Sequence, residues 1–318
     1  MYHSHLLINV GDHPDRPDWN ITRRWLRNLY RVHHRLCMAF PSPSMATASI
    51  DQRVAAYCAP FGESVLPDQR DLPAENDSGD VHDARSDEAG FLFRIDQPVD
   101  HERGVRRPVI LVQSASEPDW NYAFGLNEHE IDDSGRPTGN ASFLLAAPPQ
   151  VREVSIEHDG NTLGLMCPTK PAQSRTLNDG DRVYFRLRAN PVRTVDGKRH
   201  RLRIDKEDYE AGGERRARAF ARVHEEWLCR KLGNAADTVE CFLRDREGNR
   251  IDTLLTGWSH AWRTKHEPQP SQRMQFWSVL FEGTFRAQDV TALKALLESG
   301  IGPGKAFGFG LLSIAPVR

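Results

Sequence analysis

The chain has 318 residues, a formal net charge of −2 and five scattered cysteines, none of them in a Cys-x-x-Cys pair. These cysteines support neither a disulfide framework nor a structural zinc site. The absence of a run of about 18 apolar residues, and of a signal-peptide pattern at the start, argues against a membrane span and against secretion. We therefore expect two domains, from the length, in a cytoplasmic protein without a membrane partner.

The first half of the sequence predicts one strand, one long helix and two further strands. Residues 2–10 alternate enough for a strand, and Asp18 can cap a helix that reaches about Phe40, where Pro41 ends it. Strands follow at residues 91–95 and 108–113. Residues 41–89 are read as a partly disordered insertion, and residues 121–170 as an enlarged region with alternating runs at 151–156 and 163–167. The helix is expected to bury one stripe: Trp25, Leu29, Val32, Leu36 and Cys37.

The second half gives the same order of elements more clearly. Residues 182–188 alternate charged and apolar side chains, as a half-buried strand does, and residues 214–232 predict a helix. Strands follow at 239–243, 251–255 and 274–285, the last one broken at Gly283, and then a helix at 290–298 and a strand at 307–314. This order is typical of a ferredoxin-like unit. We therefore predict an α+β fold of two tandem ferredoxin-like (RRM-like) domains at 1–178 and 179–318, and such sheets often bind RNA.

Charge is distributed unevenly along the chain. Residues 63–90 hold nine acidic residues against two arginines, whereas residues 175–318 hold 26 Lys or Arg against 19 Asp or Glu. Because binding to a phosphate backbone depends on local positive potential, the basic half favours a nucleic-acid partner, although a solvated surface is the alternative reading of any charged run. The candidate RNA-binding residues of a basic stretch and of the following helix are Arg186, Arg188, Arg193, Lys198, Arg199, Arg201, Arg203, Arg215, Arg216 and Arg218.

A glycine-rich segment lies near the C-terminus, with five glycines between residues 300 and 310. Glycine allows positive φ and close backbone approach, so such a segment can present N–H groups to phosphate oxygens. Ser299 and Ala306 exclude a Walker A loop, and Phe307 excludes a dinucleotide fingerprint. A plain turn is the alternative, but a lysine inside the segment favours an anion. The candidate RNA-binding residues here are Gly302, Gly304, Lys305, Gly308 and Gly310.

A possible catalytic group lies on the predicted first helix, where Tyr30 shares neighbouring faces with His33 and His34. RNA cleavage without a metal needs one group to deprotonate the 2′-OH and another to protonate the leaving 5′-oxygen. Histidine titrates in the useful range, and tyrosine can orient a partner by hydrogen bonding. From spacing alone, such a pair of histidines on a helix is more often just part of a polar face.

Four segments together resemble the CasE family, the type I-E CRISPR repeat endoribonucleases of the RAMP superfamily. Residues 1–8 with 29–36 and 40–41 are similar to the family's first strand and its Tyr-x-x-His helix. Residues 111–113 with 117–120, and residues 185–191 with the basic 197–199, match further family segments. Residues 279–283 and the closing stretch to Leu312 resemble the RAMP glycine-rich loop and its following strand. Each segment is short, but four in the correct order are specific.

The resemblance implies two ferredoxin-like domains, a repeat hairpin as substrate, cleavage at the 3′ base of that hairpin, and retention of the product in the Cascade complex with its other subunits. It implies that His33 is the catalytic histidine and Tyr30 its partner. We expect no metal, because no cluster of carboxylates or histidines in the sequence suggests one, and no cofactor. Met38 stands where some members have a lysine, so a third catalytic group must come from elsewhere. A nuclease-inactive RNA-binding subunit, an unrelated RRM-like protein and, last, a small-molecule enzyme are the alternative functions.

Overall fold

The structure is a computed structural model, and it describes residues 1–11, 19–47, 90–96, 107–124, 144–166, 174–244, 250–251, 254–263 and 272–317. Most of the predicted insertion at 41–89 and part of the enlarged region at 121–170 lie outside these residues. The chain divides into two compact units, one comprising Met1–Arg152 with Ser259–Gln275, the other Glu153–Trp258 with Phe276–Arg318.

The first unit contains a four-stranded sheet with helices along its connections. The sheet order is β2-β3-β1-β4, and β3 pairs antiparallel with both β1 and β2. The elements are β1 (Tyr2–Leu7), α1 (Trp19–Arg27), α2 (Leu29–Cys37), α3 (Pro43–Ala46), β2 (Phe91–Asp96), β3 (Val109–Ser114), α4 (Trp120–Phe124) and β4 (Gln150–Glu153).

The predicted long first helix is in fact two helices separated at Asn28. This residue has an extended backbone, and its side-chain oxygen accepts a hydrogen bond from the Tyr30 N–H at 3.1 Å. Asparagine is a favoured cap because its side chain satisfies an N–H that the helix leaves unpaired. The expectation of one continuous helix was therefore wrong, and the Tyr30 and His33 side chains belong to a separate nine-residue helix.

The core of the first unit forms where α2 packs on the sheet. Val32 and Leu36 are fully buried and belong to the same apolar cluster as Leu6, Phe93 and Ile110 of the strands. All five residues of the predicted helical stripe are buried, so that prediction is confirmed. Burial of these side chains provides the main stabilisation of the unit and fixes which face of α2 meets the sheet.

The elements from residue 155 onward include the sheet β11-β15-β8-β16, to which β14 adds by pairing with β15, and the smaller sheets β5-β6-β7, β9-β10 and β12-β13. The strands are β5 (Ser155–Asp159), β6 (Thr162–Met166), β7 (Arg175–Asn178), β8 (Arg182–Ala189), β9 (Val192–Val195), β10 (Lys198–Arg201), β11 (Ala236–Cys241), β12 (Leu243–Arg244), β13 (Arg250–Ile251), β14 (Leu255–Arg263), β15 (Gln272–Ala287) and β16 (Leu312–Pro316). The helices are α5 (Lys206–Ala211), α6 (Gly213–Leu232) and α7 (Val290–Ser299), with short 3-10 helices at Gly233–Ala235 and Lys305–Phe307.

Both units connect their four main strands in the same way. If the four strands of each sheet are numbered 1 to 4 along the chain, their spatial order across the sheet is 2-3-1-4 in both units. Helices α1 and α2 join the first strand to the second in one unit, and α6 does so in the other. The fold is thus mixed α/β with antiparallel sheets. Leu163 and Leu177, on β6 and β7, come before residue 178 in the chain but pack in the core of the second unit. The predicted domain division after residue 178 stays a prediction.

Two predicted strand boundaries near the C-terminus were wrong. Strand β15 runs unbroken through Gly283, opposite a bulge in β11. A Cβ at position 283 would lie 1.8 Å from the carbonyl oxygen of Glu240, so the two strands can pair this closely only because residue 283 has no side chain. The glycine therefore permits close strand pairing instead of ending the strand. The last strand begins at Leu312 instead of 307, since Gly308 and Gly310 have left-handed φ values of 79° and 92° that a strand does not accept.

Candidate catalytic helix and nucleic-acid interface

Helix α2 brings Tyr30, His33 and His34 together. The Tyr30 ring lies against the His34 ring, with centroids 4.5 Å apart and planes inclined by 33°, and the two histidine rings are 6.1 Å apart. The capped first turn at Asn28 fixes the position of Tyr30 at the start of the helix. Tyr30 is half-buried and His34 is fully buried. The predicted tyrosine–histidine cluster therefore exists, with His34 as the ring in direct contact with Tyr30.

His33 lies on an aromatic surface beneath α2. Its ring stacks on Phe91 of β2 with centroids 5.6 Å apart, and Phe91 in turn stacks on Phe40 at 5.2 Å. The Nε2 atom of His33 is 3.5 Å from the Cys37 sulfur, one helical turn further on. Only 4% of His33 is exposed. A general acid or base must come within hydrogen-bond reach of the group it serves, so this ring could serve a substrate only after a local rearrangement.

Sequence reasoning missed both close neighbours of His33. Cys37 was assigned only to the buried stripe, although its spacing of four residues from His33 places the two side chains on one helical face. Phe91 was identified as part of a strand, but no sequence signal connects it to a helix residue so far away in the chain. These neighbours are what cover the imidazole in the first unit.

The glycine-rich segment forms a compact loop around the 3-10 helix Lys305–Phe307. The N–H of Gly310 donates to the Arg188 carbonyl at 2.8 Å, and the N–H of Gly308 donates to the carbonyl of Lys305. These two N–H groups are therefore occupied within the protein. Gly302 and Gly304 are half-exposed and have φ values of 79° and 85°. The part of the loop open to a phosphate is thus the half that contains Gly302, Gly304 and Lys305.

Strand β8 carries Arg186 and Arg188 on the face opposite its buried residues, so both side chains are half-buried. Arg186 forms an ion pair with Glu282, directly across on β15. Arg188 donates to the Ser278 hydroxyl at 3.4 Å. The two arginines therefore already have protein contacts, and an anion at Arg186 would have to compete with the Glu282 carboxylate.

The hairpin of β9 and β10 presents the most accessible basic side chains of the predicted stretch. Its strands pair from Val195 with Lys198 outward, and the turn residues Asp196 and Gly197 have φ values of 50° and 74°. Aspartate–glycine is a preferred pair for such two-residue turns. Partial burial, followed by the nearby Arg203 charge, lowers the pKa of Arg201, but arginine stays charged at neutral pH. The exposed basic residues on the hairpin and just after it are Arg193, Lys198, Arg199, Arg201 and Arg203.

The three predicted arginines at the start of α6 are exposed. Arg215 donates to Asp208 at 2.7 Å, and Arg218 pairs with Glu214 one turn earlier. The Arg216 guanidinium lies 4.1 Å from the ring centre of Tyr209. Exposed ion pairs such as Arg218–Glu214 contribute only about 0–1 kcal/mol, so a phosphate group could replace this carboxylate at little cost.

Across the described ranges, no group of three or more His, Cys, Asp or Glu side chains is arranged to hold a metal ion. Within the same residues, no helix is both long enough and apolar enough to cross a bilayer. The basic residues of β8 to β10, of α6 and of the glycine-rich loop all belong to the second unit, whereas Tyr30 and His33 belong to the first.

Comparison with known proteins identifies the family. Residues 77–316 match the family described as CRISPR associated protein. The CRISPR-associated endoribonuclease Cse3 of Thermus thermophilus is 30% identical over 216 residues, which are 67% of this chain and 76% of that protein. The chain belongs to the CasE family of CRISPR-associated proteins. The resemblance inferred from its four sequence segments is therefore confirmed.

Further matches cover less of the chain or have lower sequence identity. The Cascade subunit CasE of Escherichia coli is 34% identical over 152 residues, which are 44% of this chain and 61% of that protein. A solved structure of Thermus thermophilus Cse3 bound to an RNA representing a pre-cleavage complex aligns with 99% of this chain and 98% of that chain, at 23% identity and a TM-score of 0.47. For Escherichia coli Cas6e the identity is 21% and the TM-score 0.42, with both chains fully covered.

Proposed function

We propose that this protein is an endoribonuclease that cuts CRISPR precursor RNA within each repeat, at the 3′ base of the repeat hairpin. The observation that carries the proposal is membership of the CasE family, in which a relative 30% identical is named an endoribonuclease. The pairing of Tyr30 with a histidine on α2 and the exposed basic residues of the second unit support it. These features provide the two things that the reaction needs, proton transfer and phosphate binding.

The proposed reaction is attack by the 2′-OH upstream of the cut on the adjacent phosphorus, in line with the leaving oxygen. One group removes the 2′-OH proton as the new P–O bond forms, and another protonates the 5′-oxygen as the old bond breaks. The products are a 2′,3′-cyclic phosphate and a 5′-OH end. His33 acts as one of these two groups, and Tyr30 orients the imidazole or the phosphate.

Burial of His33 adds a requirement to this mechanism. With 4% of the residue exposed and its ring stacked on Phe91, the imidazole does not reach a substrate in the present arrangement. The ring must therefore be uncovered before cleavage, and we propose that RNA binding does so, as in induced fit, where binding energy drives the assembly of a catalytic site. His34 has even less exposure and contacts Tyr30 directly, so it is the second candidate for proton transfer.

We propose that RNA lies on the basic residues of β8 to β10, of α6 and of the glycine-rich loop. An A-form stem hides its major-groove edges, so recognition rests on shape, backbone contacts and flanking bases. We also propose that each unit is a ferredoxin-like domain, since the order β-α-β-β-α-β and the shared strand arrangement are those of this motif. Such sheets are common RNA-binding platforms.

The proposed setting is the cytoplasm, and the proposed partners are the repeat RNA and the other subunits of a type I-E Cascade complex. Escherichia coli CasE, which is named a subunit of that complex, supports this assignment. Retention of the cleaved RNA by the protein would deliver a hairpin-bearing product to the complex. Co-purification with the Cascade subunits, with and without repeat RNA, tests it.

The decisive test of catalysis is the variant His33→Ala. Loss of one proton-transfer group typically lowers the rate by about 10²–10⁴-fold, so single-turnover cleavage of repeat RNA should nearly cease while RNA affinity is retained. His34→Ala is the matched comparison, because it removes the neighbouring ring of the same helix. Cleavage at the wild-type rate by His33→Ala would transfer the catalytic role to His34.

Metal independence is a separate proposal with its own test. If protein side chains alone transfer the protons, excess EDTA should leave the single-turnover rate unchanged. A rate that falls with EDTA and returns on addition of Mg²⁺ or Mn²⁺ would contradict it.

One observation favours a second function, a nuclease-inactive subunit that binds the hairpin without cutting it. The covered position of His33 against Phe91 is what a purely structural histidine would have. Incubation of the protein with repeat RNA, followed by a denaturing gel, separates the two functions. Intact RNA in a stable complex would establish the binding subunit.

A further inference from the structure

A large cavity lies within the second unit, beside the start of α6. Its volume is about 1560 Å³, and residues of α5, α6, β10, β11, β14 and β15 form its wall. Small-molecule sites have volumes of roughly 300–1,000 Å³, so this cavity exceeds what a small metabolite requires. Its size suits a short segment of single-stranded nucleic acid whose bases are not stacked on one another.

Two tryptophans form an aromatic platform in this cavity. Trp258 of β14 is 52% exposed, an unusual state for such a large apolar side chain. Its ring meets Trp277 of β15 edge to face, with centroids 5.2 Å apart, and Trp277 meets Phe220 of α6 in the same way at 6.1 Å. Trp277, which itself packs against Phe220, therefore supports Trp258 from the protein side, and about half of Trp258 stays open to a ligand.

Cationic side chains lie on the same aromatic surfaces. The Arg201 guanidinium is 3.8 Å from the Trp277 ring centre and 5.6 Å from that of Trp258. Arg216 covers Tyr209 at 4.1 Å, and Tyr209 is 56% exposed. Rings and guanidinium groups thus alternate along the wall, so a base and its phosphate could be held side by side.

The charge of the wall favours an anion. Six basic side chains line the cavity against three glutamates, so basic residues are in excess. Glu214 pairs with Arg218 on the wall and Glu240 with Arg182 outside it, while Lys206 and Arg222 pair with Glu210 and Asp208. An acidic peptide would use the positive charge but would not need an exposed stacking surface. A nucleotide uses both. The basic wall residues are Arg201, Arg203, Lys206, Arg216, Arg218 and Arg222.

We propose that this cavity binds unpaired nucleotides that flank the repeat hairpin, with one base stacked on Trp258 and its phosphates on the arginines around it. The inference deepens the proposed function and rests on it, because it assigns the single-stranded part of the same RNA to a separate site. It also gives Arg201, Arg203, Arg216 and Arg218 a more specific role than general attraction to the stem.

The test compares two RNAs and three proteins: a bare hairpin and the same hairpin with its flanking unpaired nucleotides, each titrated against wild type, Trp258→Ala and Trp258→Tyr. Loss of one base–aromatic stack weakens binding by about 5- to 150-fold, so Trp258→Ala should bind the flanked RNA that much more weakly. The bare hairpin should bind all three proteins within about twofold, which also verifies that the variant is folded. Trp258→Tyr keeps a stacking ring and should retain most of the affinity.

An abasic substitution at each flanking position locates the stacked base. At the correct position, it should weaken wild-type binding as much as Trp258→Ala does and should have no further effect in the variant. Equal binding of flanked RNA by wild type and Trp258→Ala would overturn this inference and leave the proposed function standing. A cavity that binds a protein partner instead of RNA would give this result. Failure of the wild type to bind either RNA would instead overturn the proposed function and this inference with it.

Discussion

The exposed hairpin of β9 and β10 allows a quantitative test of RNA binding. Arg193, Lys198 and Arg199 are exposed and lie around a two-residue turn, so neutralising them as Arg193→Gln, Lys198→Gln and Arg199→Gln leaves the core untouched. Each phosphate that a protein neutralises contributes about 0.7–0.9 to the slope of log affinity against log salt. If all three residues contact phosphates, the triple variant should have a slope shallower by about 2–3.

This change in slope has a large effect over an accessible range of salt. Between about 50 and 200 mM KCl, the ratio of wild-type to variant affinity should shrink by about 15- to 60-fold. Fluorescence anisotropy with labelled repeat hairpin measures the dissociation constant at each salt concentration. Unfolding in denaturant should be unchanged, since the three side chains pack on nothing in the core.

A charge-matched control separates local contacts from the overall charge of the protein. Arg175, Arg230 and Lys231 are also exposed in the second unit, on β7 and in the last turn of α6, and none of them is among the proposed RNA-binding residues, which on α6 lie in its first turns. Their triple replacement by glutamine removes the same net charge and should change the slope by less than about one. Equal slopes for the two triple variants would refute the reasoning that the β9–β10 hairpin contacts the RNA backbone.

Two further predictions concern stability. In Gly283→Ala, the new Cβ would meet the Glu240 carbonyl at 1.8 Å, so we expect a loss of about 3 kcal/mol or more in the free energy of unfolding. The control Gly257→Ala meets nothing within 4 Å and should change the free energy of unfolding by less than about 1 kcal/mol. Equal denaturation midpoints for the two variants would contradict this prediction. Burial and the nearby charge of His5 lower the pKa of His3 to about 4. Between pH 6.5 and 4 the unfolded chain therefore binds more protons than the folded protein, so the folded protein loses stability as the pH falls. Over this window, the free energy of unfolding of the wild type should fall by about 3 kcal/mol more than that of His3→Gln. Parallel stability curves for the two proteins would refute the second prediction.

The order of elements could be predicted because the periodicity of the sequence reports it directly. Strand β8 buries every second residue and leaves the charged residues between them half-buried or exposed, and the buried stripe of Leu29, Val32 and Leu36 on α2 recurs at three- and four-residue spacing. These two periods distinguish strand from helix without any tertiary contact. The strand–helix–strand–strand–helix–strand order follows from reading them in sequence.

The boundaries that failed depend on single contacts that periodicity does not contain. Asn28 stands inside a helical pattern, and only its hydrogen bond to the Tyr30 N–H shows that it ends one helix and starts another. Gly283 is a typical strand breaker, yet here it makes room for a carbonyl of the neighbouring strand. In both cases, local chemistry and tertiary packing override the usual propensity of the residue.

The candidate site shows the same division. Tyr30 and the two histidines are close in sequence, so helical spacing alone predicts that their side chains lie on neighbouring faces. The stacking of His33 on Phe91, and of Arg201 on Trp277, joins residues far apart in the chain. Such contacts are set by strand register and helix packing, which a single sequence does not reveal.

The exposed basic hairpin and the covered His33 together predict that the rate of RNA cleavage depends on the contacts that the β9–β10 hairpin makes with the RNA. If RNA binding energy uncovers the imidazole, then weakening the β9–β10 contacts should reduce the single-turnover rate at saturating RNA as well as the affinity. If the ring opens independently of RNA, the same triple variant should show weaker affinity with an unchanged saturating rate. Stopped-flow cleavage over a range of RNA concentrations separates these outcomes. A variant that binds weakly but cuts at the full rate would refute induced exposure of His33, and the covered ring would then be one state of a fluctuating helix α2.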